Sequence, residues 1–247
     1  MITFVLYLVH LNAGELERID RLKKFYKQIS IDQCLELLVL SARLAHPDCR
    51  IVVLTDESTR IEQKDVEVFR YPVDRGKIAY FRFVAYQSFL REDNKTSHYV
   101  FLDCDMLIQK NLLEIFDGSF DIGLTYRTKR HPINGGLMFL ADHAIRKGIK
   151  FFQSLINTME MRQEKLRYWG GDQQALIDYF QLFAFIGRKS DIIEKKGITF
   201  KFFPAKTHNY TPDFSKGLKF YPDPYIIHFI DTRKERMPDY WEQFIQS

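Results

Sequence analysis

In the first hundred residues of this chain, short β-branched and aromatic runs alternate with segments of helical period, and that alternation leaves few folds open. Ile2-Thr-Phe-Val-Leu-Tyr-Leu-Val9 is almost wholly apolar, as a strand buried on both faces should be. Ile31, Leu35, Leu38, Ala42 and Ala45 then recur at spacings of four and three, which puts them on one face of a helix that Pro47 ends. Ile51–Leu54 and Val66–Arg70 predict two more strands. Ile78, Phe81, Ala85 and Phe89 mark a second helix, and Tyr99–Leu102 a fourth strand. Strand, helix, strand, strand, helix, strand is the layout of an α/β fold, an open, mostly parallel sheet flanked by helices. Such sheets bind ligands beyond the carboxyl ends of their strands.

The second half is more mixed. Asp121–Thr125, Gly136–Leu140, Ile198–Phe203 and Tyr225–Phe229 read as strands, and Ala144–Arg167 and Asp172–Phe180 as helices. No Ser/Gly linker, composition break or internal repeat divides the 247 residues, so one domain spanning 1–247 is expected. A hydrophobic fraction of 46% with 28% charged residues excludes a disordered chain or a coiled coil. The formal charge of +4 is too mild to argue for nucleic acid and is compatible with an anionic ligand such as a diphosphate. Three widely spaced cysteines, Cys34, Cys49 and Cys104, form neither a disulfide framework nor a CxxC metal site, and fit a reducing, cytoplasmic setting. The apolar N-terminus has no basic residues before it and reads as a first strand, not a signal peptide. No window reaches the roughly 18 apolar residues of a membrane span, which leaves peripheral contact with the inner face of a membrane open.

The chemistry concentrates where Leu102 runs into Asp103-Cys104-Asp105. In extended backbone, residues i and i+2 point to the same side, so two carboxylates converge. Their repulsion is relieved by a cation or a proton, and oxygen ligands suit Mg²⁺ or Mn²⁺. His228, inside the apolar run Tyr225–Phe229, needs a partner, either a core hydrogen bond or such an ion. Asn134, Gly135 and Gly136 stand before a strand, as a turn or as a place where backbone approaches a ligand and the Asn amide meets sugar hydroxyls. In Trp169-Gly-Gly-Asp-Gln-Gln-Ala175, Asp172 is placed to cap a helix, to present a carboxylate to a sugar, or both. Lys77 and Arg82 lie close to and in the second helix; five residues apart, they diverge by roughly 140° and need not face one site. Either would suit a diphosphate or the solvated surface. The basic cluster Arg233, Lys234 and Arg236 reads first as a solvated surface.

The order of these motifs resembles the GT-A-fold glycosyltransferases, especially the glycogenin-like and bacterial galactosyl- or glucosyltransferases of family 8. The matching pieces are Tyr80-Phe-Arg-Phe83, Tyr99-Val-Phe-Leu-Asp-Cys-Asp-Met106, Ile133-Asn-Gly-Gly-Leu-Met138, Gly171-Asp-Gln173 and Ile227-His-Phe229 followed by Arg233-Lys234. The resemblance implies a GT-A (Rossmann-like) fold and a metal-dependent transfer of a hexose from a nucleotide diphosphate sugar, a UDP-sugar, to an acceptor hydroxyl with retention. It implies Asp103, Asp105 and His228 as ligands of Mn²⁺ (or Mg²⁺), and Lys234 and Arg82 at the diphosphate. Asn134 and Asp172 would meet the donor sugar, with Gln173 near the reacting carbon, and these three are the candidate catalytic residues. Val9 and His10, with Asp56, would lie near the base. Residues 1–105 would then hold the nucleotide and 106–247 the sugar and a glycan, lipid-linked or protein acceptor. The end motif reads Arg233-Lys-Glu-Arg-Met237 and lacks the Lys-Pro-Trp of many members. The rival readings are a nucleotidyltransferase on a similar fold, for which no glycine- and arginine-rich triphosphate loop is present, and a non-catalytic nucleotide-sugar-binding protein.

Overall fold

The computed structural model describes residues 1–11, 30–127, 132–162, 170–181 and 191–246. In chain order the strands are β1 (Ile2–Tyr7), β2 (Arg50–Thr55), β3 (Glu67–Arg70), β4 (His98–Leu102), β5 (Met106–Ile108), β6 (Ile122–Tyr126), β7 (Ile133–Leu140), β8 (Ile192–Lys195), β9 (Ile198–Pro204) and β10 (Ile226–His228). The helices are α1 (Ile31–Ala45), α2 (Ile78–Glu92), α3 (Ile145–Glu160), α4 (Gly171–Phe180), the single turn α5 (Ala205–His208) and α6 (Met237–Phe244).

Eight strands make one mixed sheet in the order β3-β2-β1-β4-β7-β6-β9-β8. β3, β2, β1 and β4 are parallel; β7 runs antiparallel to both β4 and β6, and β9 is parallel to β6. The carboxyl ends of β1, β2, β4, β6 and β9 therefore share one edge of the sheet, and β7 begins there. The two-residue period sorts the side chains between two cores. Val5, Val52 and Leu54 face Phe83, Phe89 and Phe152 of α2 and α3. Phe4, Leu6, Ile51 and Val53 face Leu35, Leu38 and Ala42 of α1. Much of the aromatic content is this packing: the rings of Tyr86, Phe101 and Phe152 lie 4.6–5.4 Å apart between centroids, the spacing of favourable tilted and edge contacts.

Local signals account for most boundaries. Ser30 caps α1 by accepting a 3.0 Å hydrogen bond from the Gln33 N–H, and the helix closes before Pro47. Three differences from the sequence reading matter. β7 starts at Ile133, so Asn134, Gly135 and Gly136 lie inside a strand rather than before it, at a break in register against β6 where Leu124 pairs with Met138 but Thr125 with Asn134. That break is a β-bulge. β5, β8 and α6 are additional elements; at three, four and eight residues they are too short for a periodic signal. The expected helix at Ala144–Arg167 is α3, ending at Glu160, and residues 163–167 lie outside the described residues. Among the described residues, no helix is long and apolar enough to cross a membrane.

Candidate active site

Asp103 follows β4 and extends its ladder by one bond, its N–H donating to the Gly136 carbonyl at 2.9 Å. The chain turns at Cys104 and enters β5, which pairs antiparallel with β10 so that His228 lies opposite Met106. The Phe229 N–H donates to the Asp105 carbonyl at 2.8 Å. This small second sheet brings His228, 123 residues further along the chain, onto the two aspartates. His228 Nε2 lies 3.2 Å from Asp105 Oδ1 and 3.8 Å from Asp103 Oδ2. One ligand atom from each of the three residues lies within 4.8 Å of the others. Two carboxylates and an imidazole at this separation suit Mn²⁺ or Mg²⁺, and carboxylates brought this close need a cation. The residues present fit the ion that the resemblance implies.

Two cations already answer that need. Lys234, from the turn Asp231–Arg236, places Nζ 3.1 Å from Asp105 Oδ2. Burial alone would raise the pKa of Asp105; Lys234 and His228 outweigh it and hold the carboxyl well below its usual range. Arg82, on α2, pairs with Asp103 through one guanidinium nitrogen and donates to Asp172 Oδ2 through another at 2.9 Å. Its Nε donates to the Tyr86 hydroxyl at 3.0 Å. Although burial opposes its charge, Asp103, Tyr86 and Asp172 raise the pKa of Arg82 well above the ordinary guanidinium value. One buried arginine thus joins α2, α4 and the end of β4.

Of the residues singled out in the sequence, Val9, Arg82, Asp103 and Asp105 line the cleft from the first half, and Gly136, Asp172, Gln173 and Lys234 from the second. His228 stands buried behind the carboxylates. Asn134 is buried, and its side-chain oxygen accepts a 2.7 Å hydrogen bond from the Gly136 N–H, holding the bulge. Gly135 backs Asp172, whose Oδ2 would lie 3.4 Å from a Cβ at that position. The helix cap expected at Asp172 is instead Gly170, at φ +88°; Asp172 lies in the first turn, and its Oδ1 accepts from the Gln173 N–H at 2.8 Å. Trp169 lies outside the described residues.

The remaining three stand apart from the cleft lining. The His10 N–H donates to Thr59 at 2.9 Å, and its ring lies 3.4 Å from Asp32. Lys77 pairs at the surface with Asp74 at 3.4 Å. Asp56 is buried under a network: it accepts from the Thr59 N–H at 2.8 Å, Ser58 at 3.1 Å and Arg75 at 2.6 and 2.8 Å. Burial pushes its pKa up, but the bonds from Thr59 and Arg75 outweigh that and bring it down to about 2. A depressed folded-state pKa stabilises the fold above the unfolded value of about 3.9. That contribution, of order 2 kcal/mol, is lost as pH falls from about 4 through about 2. Asp56→Asn is expected to flatten this part of the acid-unfolding profile, as urea midpoints measured between pH 5 and 2 would register; an unchanged slope would assign the acid sensitivity elsewhere.

Arg75 and Tyr7 escaped the sequence reading. Arg75 lies 19 residues from Asp56 with no periodic relation to it. Tyr7 looks like any strand residue, yet it lines the cleft, and its buried hydroxyl has no hydrogen-bond partner among the described residues.

Solved structures of sugar transferases share this architecture. A glycosyltransferase involved in the glycosylation of the major capsid of PBCV-1 aligns over 96% of this chain and 98% of its own, at 15% identity and a TM-score of 0.53. The galactosyltransferase LgtC, solved in complex with donor and acceptor sugar analogues, aligns over 96% and 94% at 12% identity and a TM-score of 0.55. Mouse xyloside xylosyltransferase 1 aligns over 92% and 96% at 12% identity and a TM-score of 0.53. The sequence matches no protein-family model and no curated protein. At these identities the likeness is one of fold: the chain has the GT-A glycosyltransferase fold that its motifs resemble.

Proposed function

We propose that this chain is a metal-dependent glycosyltransferase that moves a hexose from a UDP-sugar to an acceptor hydroxyl, with retention of configuration. The observation that carries the reading is the Asp103, Asp105 and His228 cluster, its ligand atoms within 4.8 Å, at the carboxyl edge of a GT-A sheet. These three residues would hold Mn²⁺ or Mg²⁺, whose charge on the diphosphate oxygens stabilises the departing nucleoside diphosphate. Lys234 and Arg82, each paired with one of the aspartates, would supply positive charge beside the diphosphate. There they would face the negative charge that builds on the leaving group. Asp172 and Gln173, at the start of α4, orient the donor sugar, and the acceptor approaches through residues 106–247. The nucleotide lies along residues 1–105, beside Val9.

A ligand that binds only the folded state raises its stability, by about 2.7 kcal/mol at a hundredfold excess over its dissociation constant. UDP with Mn²⁺ is therefore expected to raise the melting temperature, with the shift lost in EDTA and smaller for GDP, ADP and TDP. No shift from any diphosphate at saturation would overturn the donor assignment.

A further inference from the structure

The geometry behind His228 assigns a positioning role to Asn209 and, through it, to Thr125; this rests on the metal reading above. We infer that Asn209 fixes which imidazole nitrogen of His228 faces the carboxylates, so that the ring meets a divalent cation as a ligand.

His228 is 2% exposed and Asn209 3%. The ring's Nδ1 lies 2.9 Å from Asn209 Oδ1. The other half of the amide is committed: Asn209 Nδ2 donates to Thr125 Oγ1 at 2.9 Å, and Thr125 is fully buried at the carboxyl end of β6. An amide whose NH₂ is held by Thr125 presents its oxygen, an acceptor only, to the imidazole. The ring must therefore place a proton on Nδ1, and in the neutral ring Nε2 keeps its lone pair. Nε2 faces the aspartates, 3.2 Å from Asp105 and 3.8 Å from Asp103. With an acceptor behind the ring, Nε2 meets the two carboxylates through either a second proton or a cation, and a cation between them satisfies all three groups at once. Metal-bound histidines elsewhere have the same arrangement, the far nitrogen donating to a carboxylate or carbonyl oxygen.

The placement also explains two polar side chains for which the transfer reaction has no other use. Asn209 follows α5, its N–H donating to the Ala205 carbonyl at 3.0 Å, and Tyr210 next to it bridges to Ile227 of β10. The backbone of α5 and β10 thus sets the Asn209–His228 distance, while β6 of the main sheet anchors the amide through Thr125. His228 is referenced to the main sheet, and to Asp103 beyond it, by side chains as well as by β5.

The test is Mn²⁺ affinity of the full chain in the presence of UDP, read by electron paramagnetic resonance of free Mn²⁺, which needs no turnover. Asn209→Leu keeps the volume and removes the acceptor, and is expected to weaken Mn²⁺ binding about 10- to 100-fold. Asn209→Asp keeps an acceptor at the same place and is expected to bind within about threefold of the parent, or more tightly, since a carboxylate makes the ring a stronger ligand. Thr125→Val frees the amide to turn and is expected to fall between the two. If Asn209→Leu folds and binds Mn²⁺ as the parent does, or if Asn209→Asp loses as much as Asn209→Leu, the positioning role is overturned while the metal site stands. If the parent chain itself binds no Mn²⁺, the metal reading falls and this inference with it.

Discussion

Asp105→Asn is expected to lower Mn²⁺-dependent release of UDP from a UDP-sugar at least about a thousandfold, equivalent to about 4 kcal/mol of transition-state stabilisation. The size follows from where the carboxylate sits. Asp105 is 5% exposed, 3.2 Å from His228 and 3.1 Å from Lys234. An amide there offers one neutral oxygen to the ion and leaves Lys234 beside an NH₂ group. Breaking a buried pair from one side costs about 3–5 kcal/mol, so the metal-free variant should also melt earlier. Lys234→Ala separates the two effects. It leaves the three ligands in place and removes a charge that the reading places at the diphosphate, so Mn²⁺ binding should persist while turnover falls. Steady-state UDP release, with Mn²⁺ binding measured in parallel, decides the matter: an Asp105→Asn protein within tenfold of the parent would mean that the cluster holds no catalytic ion.

What the sequence made legible was local. The run into Asp103-Cys104-Asp105 joins a buried strand to two carboxylates within seven residues, and both halves of that signal survive in β4 and the cleft. α1 was readable from its period and from Pro47, while its Ser30 cap emerged only in the structure. Lys77 and Arg82 were expected to diverge, and they do: one pairs at the surface with Asp74, the other is buried between Asp103 and Asp172. The remainder depends on partners far apart in sequence. Arg82 reaches Asp172 across 90 residues, and His228 meets Asp105 only because two three-residue strands pair. Neither strand is long enough for a pattern to declare itself. Asn134 shows the same limit in another form. Its residue type suggested a turn or a sugar contact, whereas in the structure its oxygen is bonded to the Gly136 N–H, a use that follows from a bulge no composition signals.

That bulge makes Gly136 the position with the least room in the site, and Gly136→Ala is expected to cost at least about a hundredfold in turnover with little loss of stability. A Cβ there would lie 2.2 Å from Asp103 Oδ2 and 2.8 Å from Asn134 Oδ1, both well inside contact distance. The strand backbone has little freedom to yield, because the Gly136 carbonyl accepts from the Asp103 N–H and its own N–H is held by Asn134. The Asp103 carboxylate, 34% exposed and lining the cleft, must rotate instead and loosen its pair with Arg82, which keeps Asp172 as a partner. The fold therefore survives while one metal ligand is displaced, and a misplacement of about 1 Å near a reacting centre costs about a hundredfold. Gly135→Ala is the control. Its Cβ would meet Leu176 at 3.3 Å and Asp172 Oδ2 at 3.4 Å, a tight but tolerable fit, so its turnover should remain within about tenfold of the parent. The informative measurement is Mn²⁺ affinity and UDP release for both variants beside their melting temperatures. Weakened Mn²⁺ binding at an unchanged melting temperature for Gly136→Ala alone would place the glycine's role at Asp103; equal losses in both variants would place it in the packing of β7 against α4.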